Sequence, residues 1–387
     1  MNNKLIRKLF FAELLAQSVA IYTVSTIMFG DRGGLSSSQI GIVLGAFSIT
    51  TLLFEIPTGV LADRFSRKWT MVVARLILSA GMLTWFLVPN FKGYIAGIIC
   101  MGIAESMMSG ALQAYLYESL GEDTHKFNRY NSRLWAVMMT GWMIGSGIAA
   151  LVGLKYGVLL VVSALLPLVS AGITATLPKE PRPTAKDTKV ATLITGAAKY
   201  IVSTRKLLYA FFAIISLKIL VDVLIEYIPL YYKAAGSPVR LIPFIFLVGN
   251  FITIFLFWHS HTLVKFLKRK EALVGLLFLL LFIVSRYIGT VPAIMGIFLY
   301  VRYVRIMFVD LESEFQHLSV NKYRATLGSL YSMVSRIGAA ISFVAIGYFS
   351  QKSSLLTPIL VLTVVFYSLY RLFYALAQKH DTASKIG

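Results

Sequence analysis

Long apolar stretches alternate with short polar turns along the whole chain, and the apolar stretches number twelve. They run roughly over 4–30, 36–62, 67–89, 92–120, 126–152, 156–178, 206–233, 238–264, 270–289, 291–318, 322–350 and 354–378. A helix of about 20 apolar residues crosses the roughly 30 Å hydrocarbon core of a bilayer. Each stretch meets that length, so the pattern predicts an all-α membrane protein with twelve transmembrane helices.

The longest polar interruption begins at Pro178-Lys179-Glu180-Pro181-Arg182-Pro183 and ends near Arg205. Its three prolines stop the sixth helix. The chain is therefore expected to divide into an N-terminal bundle over 1–178, a linker over 179–205 and a C-terminal bundle over 206–387. Within the linker, Val190 to Val202 carries apolar residues at helical spacing. That segment reads either as an amphipathic helix at the headgroups or as a plain solvated connection. The two bundles show a weak internal repeat: a shift of 202 residues brings Leu61, Arg67 and Lys68 onto Leu263, Arg269 and Lys270, with Lys265 opposite Asp63.

Composition places the chain in the membrane class, with 57% hydrophobic residues, 14% charged residues and a mean hydropathy of +0.75. The formal charge of +20 could point to nucleic acid, but the basic residues form no single stripe. They obey a topology rule instead. With the N-terminus inside, the inner loops and tails hold 24 Lys and Arg and the outer turns six, with seven inside spans. Basic residues resist translocation, so both termini are expected on the cytoplasmic side. Lys4, Arg7 and Lys8 before an apolar run imitate a secretory leader, but Glu13 and Gln17 interrupt that run and no small-residue cleavage site ends it. It reads as the first span. The single Cys100 forbids an intramolecular disulfide.

Candidate chemistry lies in charges placed where they cost most. At a rise of about 1.5 Å per residue, Glu13 in the first span, Glu105 in the fourth, Lys218 in the seventh, and Arg302 and Arg305 in the tenth all fall near the bilayer middle. Asp222 and Glu226 follow Lys218 at successive turns. An ionised side chain at that depth costs a few kcal/mol or more and faces a partner or water. Lys218 and Asp222, spaced i, i+4, are expected to pair. Glu55 and Arg75 each lie ten residues from Phe65 in the turn between spans two and three, so an ion pair between those spans is expected. Arg286 and Arg336 receive no role. His259 and His261 are two residues apart and point to different sides of a helix, which argues against a metal site. No phosphate loop, nucleotide fingerprint or His/Cys cluster supports an enzyme.

The turn itself reads Phe54-Glu55-Ile56-Pro57-Thr58-Gly59-Val60-Leu61-Ala62-Asp63-Arg64-Phe65-Ser66-Arg67-Lys68. Its Gly-x-Leu-Ala-Asp-Arg-x-x-Arg-Lys order, set between two spans, resembles the loop 2–3 signature of the major facilitator superfamily of transporters. The preceding Glu-Ile-Pro-Thr-Gly looks like a variant common among bacterial members, and Ser66 stands where the family usually has a second glycine. Gly141-Trp142-Met143-Ile144-Gly145-Ser146-Gly147 is a small-xxx-small face suited to close helix approach. It partly resembles the helix 5 motif of drug/proton antiporters, with Ser146 in place of the proline.

The resemblance implies two six-helix halves and a central cavity lined by the first, fourth, seventh and tenth helices. On that reading Glu105 and Glu13 are the proton-coupling residues. Arg302, Arg305, Lys218, Asp222, Tyr22 and Tyr115 are the substrate contacts, with Trp142 a further aromatic surface. The two arginines, i and i+3, offer planar donors to one carboxylate or phosphate. The rival reading is a scaffold in which charges of the two halves neutralise each other. The resemblance also implies a conformational latch, with Asp63 against the start of the eleventh helix near Asn321 to Ala325 and Arg67 against Glu118. The expected function is a secondary active transporter of a small organic solute, working by alternating access with proton-coupled efflux. The alternatives are import of a zwitterionic or anionic solute, or lipid flipping on the same fold. Neither cofactor nor metal is called for. The partners are the solute, protons and membrane lipids, not nucleic acid, and the protein is expected as a monomer in the bacterial cytoplasmic membrane.

Overall fold

The computed structural model describes residues 3–121, 123–179, 190–258, 271–320 and 323–383, and these are helical almost throughout. The helices in chain order are α1 (Asn3–Gln17), α2 (Ser25–Asp31), α3 (Ser37–Arg64), α4 (Arg67–Leu87), α5 (Phe91–Ser119), α6 (Thr124–Val152), α7 (Tyr156–Ala175) and α8 (Val190–Ser203). They continue as α9 (Arg205–Ala234), α10 (Ile242–Trp258), α11 (Glu271–Ile288), α12 (Thr290–Leu318), α13 (Arg324–Phe349) and α14 (Leu356–Ala383). Among the described residues, nine helices are long and apolar enough to cross a membrane. The shorter α10, the charge-bearing α12 and the split first span are consistent with the twelve read from the sequence. His259, His261 and the second copy of the loop motif at 263–270 lie outside the described residues.

The chain forms two compact units, Met1–Ala185 with Pro238–Phe255, and Lys186–Ser237 with Leu256–Gly387. Residues 238–255 group with the first unit although they follow the linker in sequence.

In the first unit, side-chain caps set the helix starts. Ser36 caps α3 in a reciprocal box with Gln39, and Asn90 accepts from the Gly93 N–H at 3.1 Å to start α5. Asp123 accepts from the Lys126 N–H at 3.0 Å to start α6, and that bond holds its carboxyl below the usual range. Only Phe65 and Ser66 separate α3 from α4. Ser66 is extended (φ −175°) and its hydroxyl caps α4 by accepting from the Trp69 N–H. An extended cap needs no glycine, so serine fits this position. Lys68 then reaches across to the last carbonyls of α7, donating to Ala175 O at 3.2 Å and Leu177 O at 3.0 Å. A cation at a helix C-terminus is favourable. Leu9, Met71, Leu112, Leu116, Leu134 and Leu177 fill the core at this end, while Phe29, Trp85 and Tyr94 stack at the other.

The first span is not one helix. It breaks between α1 and α2, with a 3₁₀ turn over Ala20–Thr23. The glycine face of α6 holds this break. A Cβ on Gly145 would lie 3.0 Å from the Val19 carbonyl oxygen, and one on Gly141 would lie 2.9 Å from that of Leu14. Backbone groups freed by the break find partners on neighbouring helices, as membrane burial demands. The Ile21 N–H donates to Ser163 Oγ at 3.1 Å. Beside the break, the side chains of Trp142 and Gln17 also bond, Nε1 donating to Oε1 at 2.9 Å.

In the second unit, α9 is the most buried helix and lies against α12, α13 and α14. A tyrosine-rich cluster joins α12 and α14 through Tyr300, Tyr303, Tyr367 and Tyr370, and α11 adds Phe278 on Tyr303 and Phe282 on Tyr300. Glu271, at the start of α11, takes Arg371 Nη1 at 2.9 Å and the Tyr370 hydroxyl, both from the middle of α14. The linker segment 190–203 is a helix, and its Ala197 and Ile201 are buried in this unit. Tyr200 stacks on Tyr323 with ring centroids 5.8 Å apart.

Candidate functional site

The charged residues inside the spans divide into one set per unit. In the first unit, Glu13 on α1 forms an ion pair with Arg75 on α4 through Glu13 Oε1 and Arg75 Nη2. The two side chains are 0% and 1% exposed, so the pair is sealed from solvent. This corrects the expected pairing of Arg75 with Glu55. The physical reason is packing: α4 lies mainly along α5 and α7 and touches α3 only slightly, so equal depth on sequence-adjacent spans does not bring the groups together. Arg75 Nε and Nη1 are buried with no hydrogen-bond partner among the described residues.

Glu105 is different in kind. It is the fifteenth of the 29 residues of α5, and its side chain is exposed. An exposed carboxylate at mid-span is tolerable only where it meets water, because hydrocarbon penalises the ionised form by several kcal/mol. It lies within electrostatic reach of Glu13. Tyr22, 40% exposed, sits in the 3₁₀ turn of the broken first span.

Tyr115 lies ten residues beyond Glu105 on α5. It is 1% exposed, belongs to the core cluster with Leu112, Leu116 and Leu177, and donates its hydroxyl to Pro178 O at 2.8 Å. Its position four residues from the end of α5 puts it in the packing of that end. Arg67 and Glu118 form an ion pair, largely buried, between the start of α4 and the end of α5. The pair is internal to the first unit and orders the end of that unit where α4 starts and α5 ends. The side chain of Asp63 and residues 321–322 of its expected partner segment lie outside the described residues.

In the second unit, Lys218 Nζ lies 2.6 Å from both carboxylate oxygens of Asp222, as the i, i+4 spacing on α9 requires. Arg302 and Arg305 sit near the middle of α12. Arg305 is within electrostatic reach of Arg302 and Asp222, which brings the two helices' charges into one set. The Arg302 guanidinium carbon lies 4.6 Å from the centroid of the Phe298 ring, and its Nε is buried with no hydrogen-bond partner among the described residues. Glu226, one turn beyond Asp222, is within reach of that carboxylate. Tyr331 of α13 donates to Glu312 of α12. This last pair was not read from the sequence. A tyrosine on one span and a carboxylate on the next carry no spacing signal.

This chemistry suits recognition of charge in a low-dielectric setting. Among the described residues no group of His, Cys, Asp and Glu is arranged to hold a metal ion.

The profile of the Major Facilitator Superfamily matches residues 9–342. The uncharacterized MFS-type transporter YxaM of Bacillus subtilis (strain 168) is 25% identical over 139 residues, which is 35% of this chain and 34% of the relative. The inner membrane transport protein YajR of Escherichia coli (strain K12) is 33% identical over 96 residues, 25% of this chain and 20% of the relative. The chain thus spans about a third or less of the length of these relatives. Among solved structures, the nucleoside transporter NupG superposes with a TM-score of 0.76 at 17% identity, covering 97% of this chain and 99% of that one. A D-xylose-proton symporter superposes with a TM-score of 0.75 at 12% identity, covering 97% and 96%. At such identities the superpositions speak for the fold. The profile match over most of the chain, together with that all-helical fold, shows that this chain belongs to the Major Facilitator Superfamily, as a multi-pass protein of the cytoplasmic membrane.

Proposed function

We propose that the chain is a secondary active transporter that moves a small zwitterionic or anionic organic solute by alternating access, coupled to protons. Efflux is the direction that the family resemblance favours. The observation that carries the reading is Glu105: an exposed carboxylate at mid-span, beside a buried carboxylate already held by Arg75. A carboxyl group shifts toward its neutral form in apolar surroundings and toward its charged form in water or beside an arginine. A group that meets the two environments in turn takes up and releases a proton. Glu105 is the coupling group on this reading, and the Glu13–Arg75 pair is its fixed neighbour. Arg302 and Arg305 bind the anionic group of the solute, and the Lys218–Asp222 pair offers a second point of opposite polarity for a zwitterion.

The test is Glu105→Gln in proteoliposomes. The variant is expected to exchange solute across the membrane at near wild-type rates and to lose accumulation driven by a proton gradient. Full gradient-driven accumulation by Glu105→Gln would move the coupling role to another residue.

Arg67 and Glu118 act as the latch of the cytoplasmic end. Their pairing fixes the start of α4 against the end of α5, and through it the turn that carries Asp63. Arg67→Ala and Glu118→Ala are each expected to raise the reactivity of a cysteine placed on the cytoplasmic side of α5. The charge-swapped pair should restore most of the protection. Equal reactivity in wild type and both single variants, at equal expression, would remove the latch.

A further inference from the structure

The second unit carries an apolar groove that the solute chemistry does not use. It lies between the end of α13 and the first turns of α14, has a volume of about 420 Å³, and is lined by Ala345, Ile346, Phe349, Val361, Leu362 and Val365 among others. Phe349, Val361 and Val365 are 55%, 58% and 48% exposed, so the groove opens on the outside of the unit.

Its length is informative. Along α14 it runs from Thr357 to Phe366, ten residues whose nine steps rise about 13 Å at 1.5 Å each. That is close to half of the roughly 30 Å hydrocarbon core, the depth of a single lipid leaflet. The charge count of the loops places this end of α13 and α14 on the outer side of the membrane.

The rim at that end is basic. Arg286, in the last turn of α11, donates from Nη2 to Thr357 Oγ1 at 3.4 Å, and Thr357 belongs to the groove. Lys352 is exposed beside Ser353, another lining residue, with its Nζ 4.7 Å from the centroid of the Tyr348 ring. The sequence holds no Asp or Glu between 286 and 309 or between 343 and 380. The rim is therefore positive without local compensation in the segments that form it. An arginine whose side-chain hydrogen bond goes to a neutral hydroxyl keeps other donors for a phosphate.

We propose that this groove binds an anionic phospholipid of the outer leaflet, with one acyl chain along Ile346, Phe349, Val361 and Val365 and the phosphate at Arg286 and Lys352. The apolar groove supplies contact along the chain, and the two cations supply preference for a net negative headgroup. The site is independent of the solute and proton groups, which lie on α5, α9 and α12.

The experiment uses the full chain in nanodiscs of a zwitterionic phosphatidylcholine. A phosphatidylglycerol with a photoactivatable group near the middle of one acyl chain serves as the probe. Crosslinked peptides are mapped by mass spectrometry. Label is expected on the 345–366 segment, and unlabelled phosphatidylglycerol should compete better than unlabelled phosphatidylcholine. Arg286→Gln and Lys352→Gln should each weaken the phosphatidylglycerol preference about fivefold, the effect of one basic residue near a membrane surface. Ala345→Phe should lower labelling of the 345–366 segment, because it fills the groove. Three wild-type results would overturn the proposal whatever the variants do. These are absence of label from 345–366, equal competition by the two lipids, and a crosslink joining two copies of the chain through this face.

Discussion

Arg75→Gln is expected to destabilise the protein by about 3–5 kcal/mol, the usual cost of leaving one member of a buried ion pair alone. Glu13 and Arg75 are 0% and 1% exposed, so no water reaches the carboxylate that would be left behind. Glu13→Gln strands the guanidinium in the same way and should cost a similar amount. The double variant Glu13→Gln/Arg75→Gln removes both charges and is expected to be more stable than either single one, because neutral replacements of a buried pair are often tolerated. Thermal unfolding in one detergent, followed by tryptophan fluorescence, reads all three. Single variants that melt with the wild type would mean that the pair carries no structural weight. The double variant also separates structure from function. If Glu13 and Arg75 serve only as scaffold, it transports normally. The proposed role beside Glu105 predicts a folded protein with altered coupling.

The second large effect concerns the solute. Replacing both Arg302 and Arg305 by Gln should weaken binding of a carboxylate-bearing solute by at least about a hundredfold. Each hydrogen bond to a charged group is worth about 1.5–3 kcal/mol, and two are lost. The contact of Arg302 with the Phe298 ring orders the guanidinium before the solute arrives, so little of the interaction is spent on ordering it. Binding of a panel of zwitterionic and acidic solutes, measured by isothermal calorimetry on folded variant and wild type, discriminates between the readings. Unchanged affinity in the double variant would return both arginines to the scaffold.

The parts of this fold that were legible in the sequence are those written in local spacing. The apolar runs gave the spans, the i, i+4 separation gave Lys218–Asp222, and the charged turn carried the resemblance that pointed Arg67 at Glu118. What stayed hidden depends on which helices touch. Glu13 and Arg75 were both visible as charges at depth, yet their pairing follows from how α1 and α4 are placed in the first unit, and no spacing reports that. Tyr115 read from its residue type either as a solute contact or as plain packing, and the structure buries it with its hydroxyl on Pro178 O. The break in the first span left no proline or glycine signal, since Ser18 to Val24 contains neither. Its only trace was the glycine pattern of α6, which read as close helix approach without saying what approaches.

The central claim is solute movement coupled to protons, and reconstituted transport tests it most directly. Purified protein in sealed liposomes, with a pH-sensitive dye inside, is given each member of the solute panel with and without an imposed proton gradient. The account predicts that a zwitterionic or anionic solute moves against its concentration gradient only when the proton gradient is present, with dye-reported proton flux in step with it. Accumulation that is unaffected when an ionophore collapses the proton gradient, or solute flux that only ever runs downhill, would contradict it.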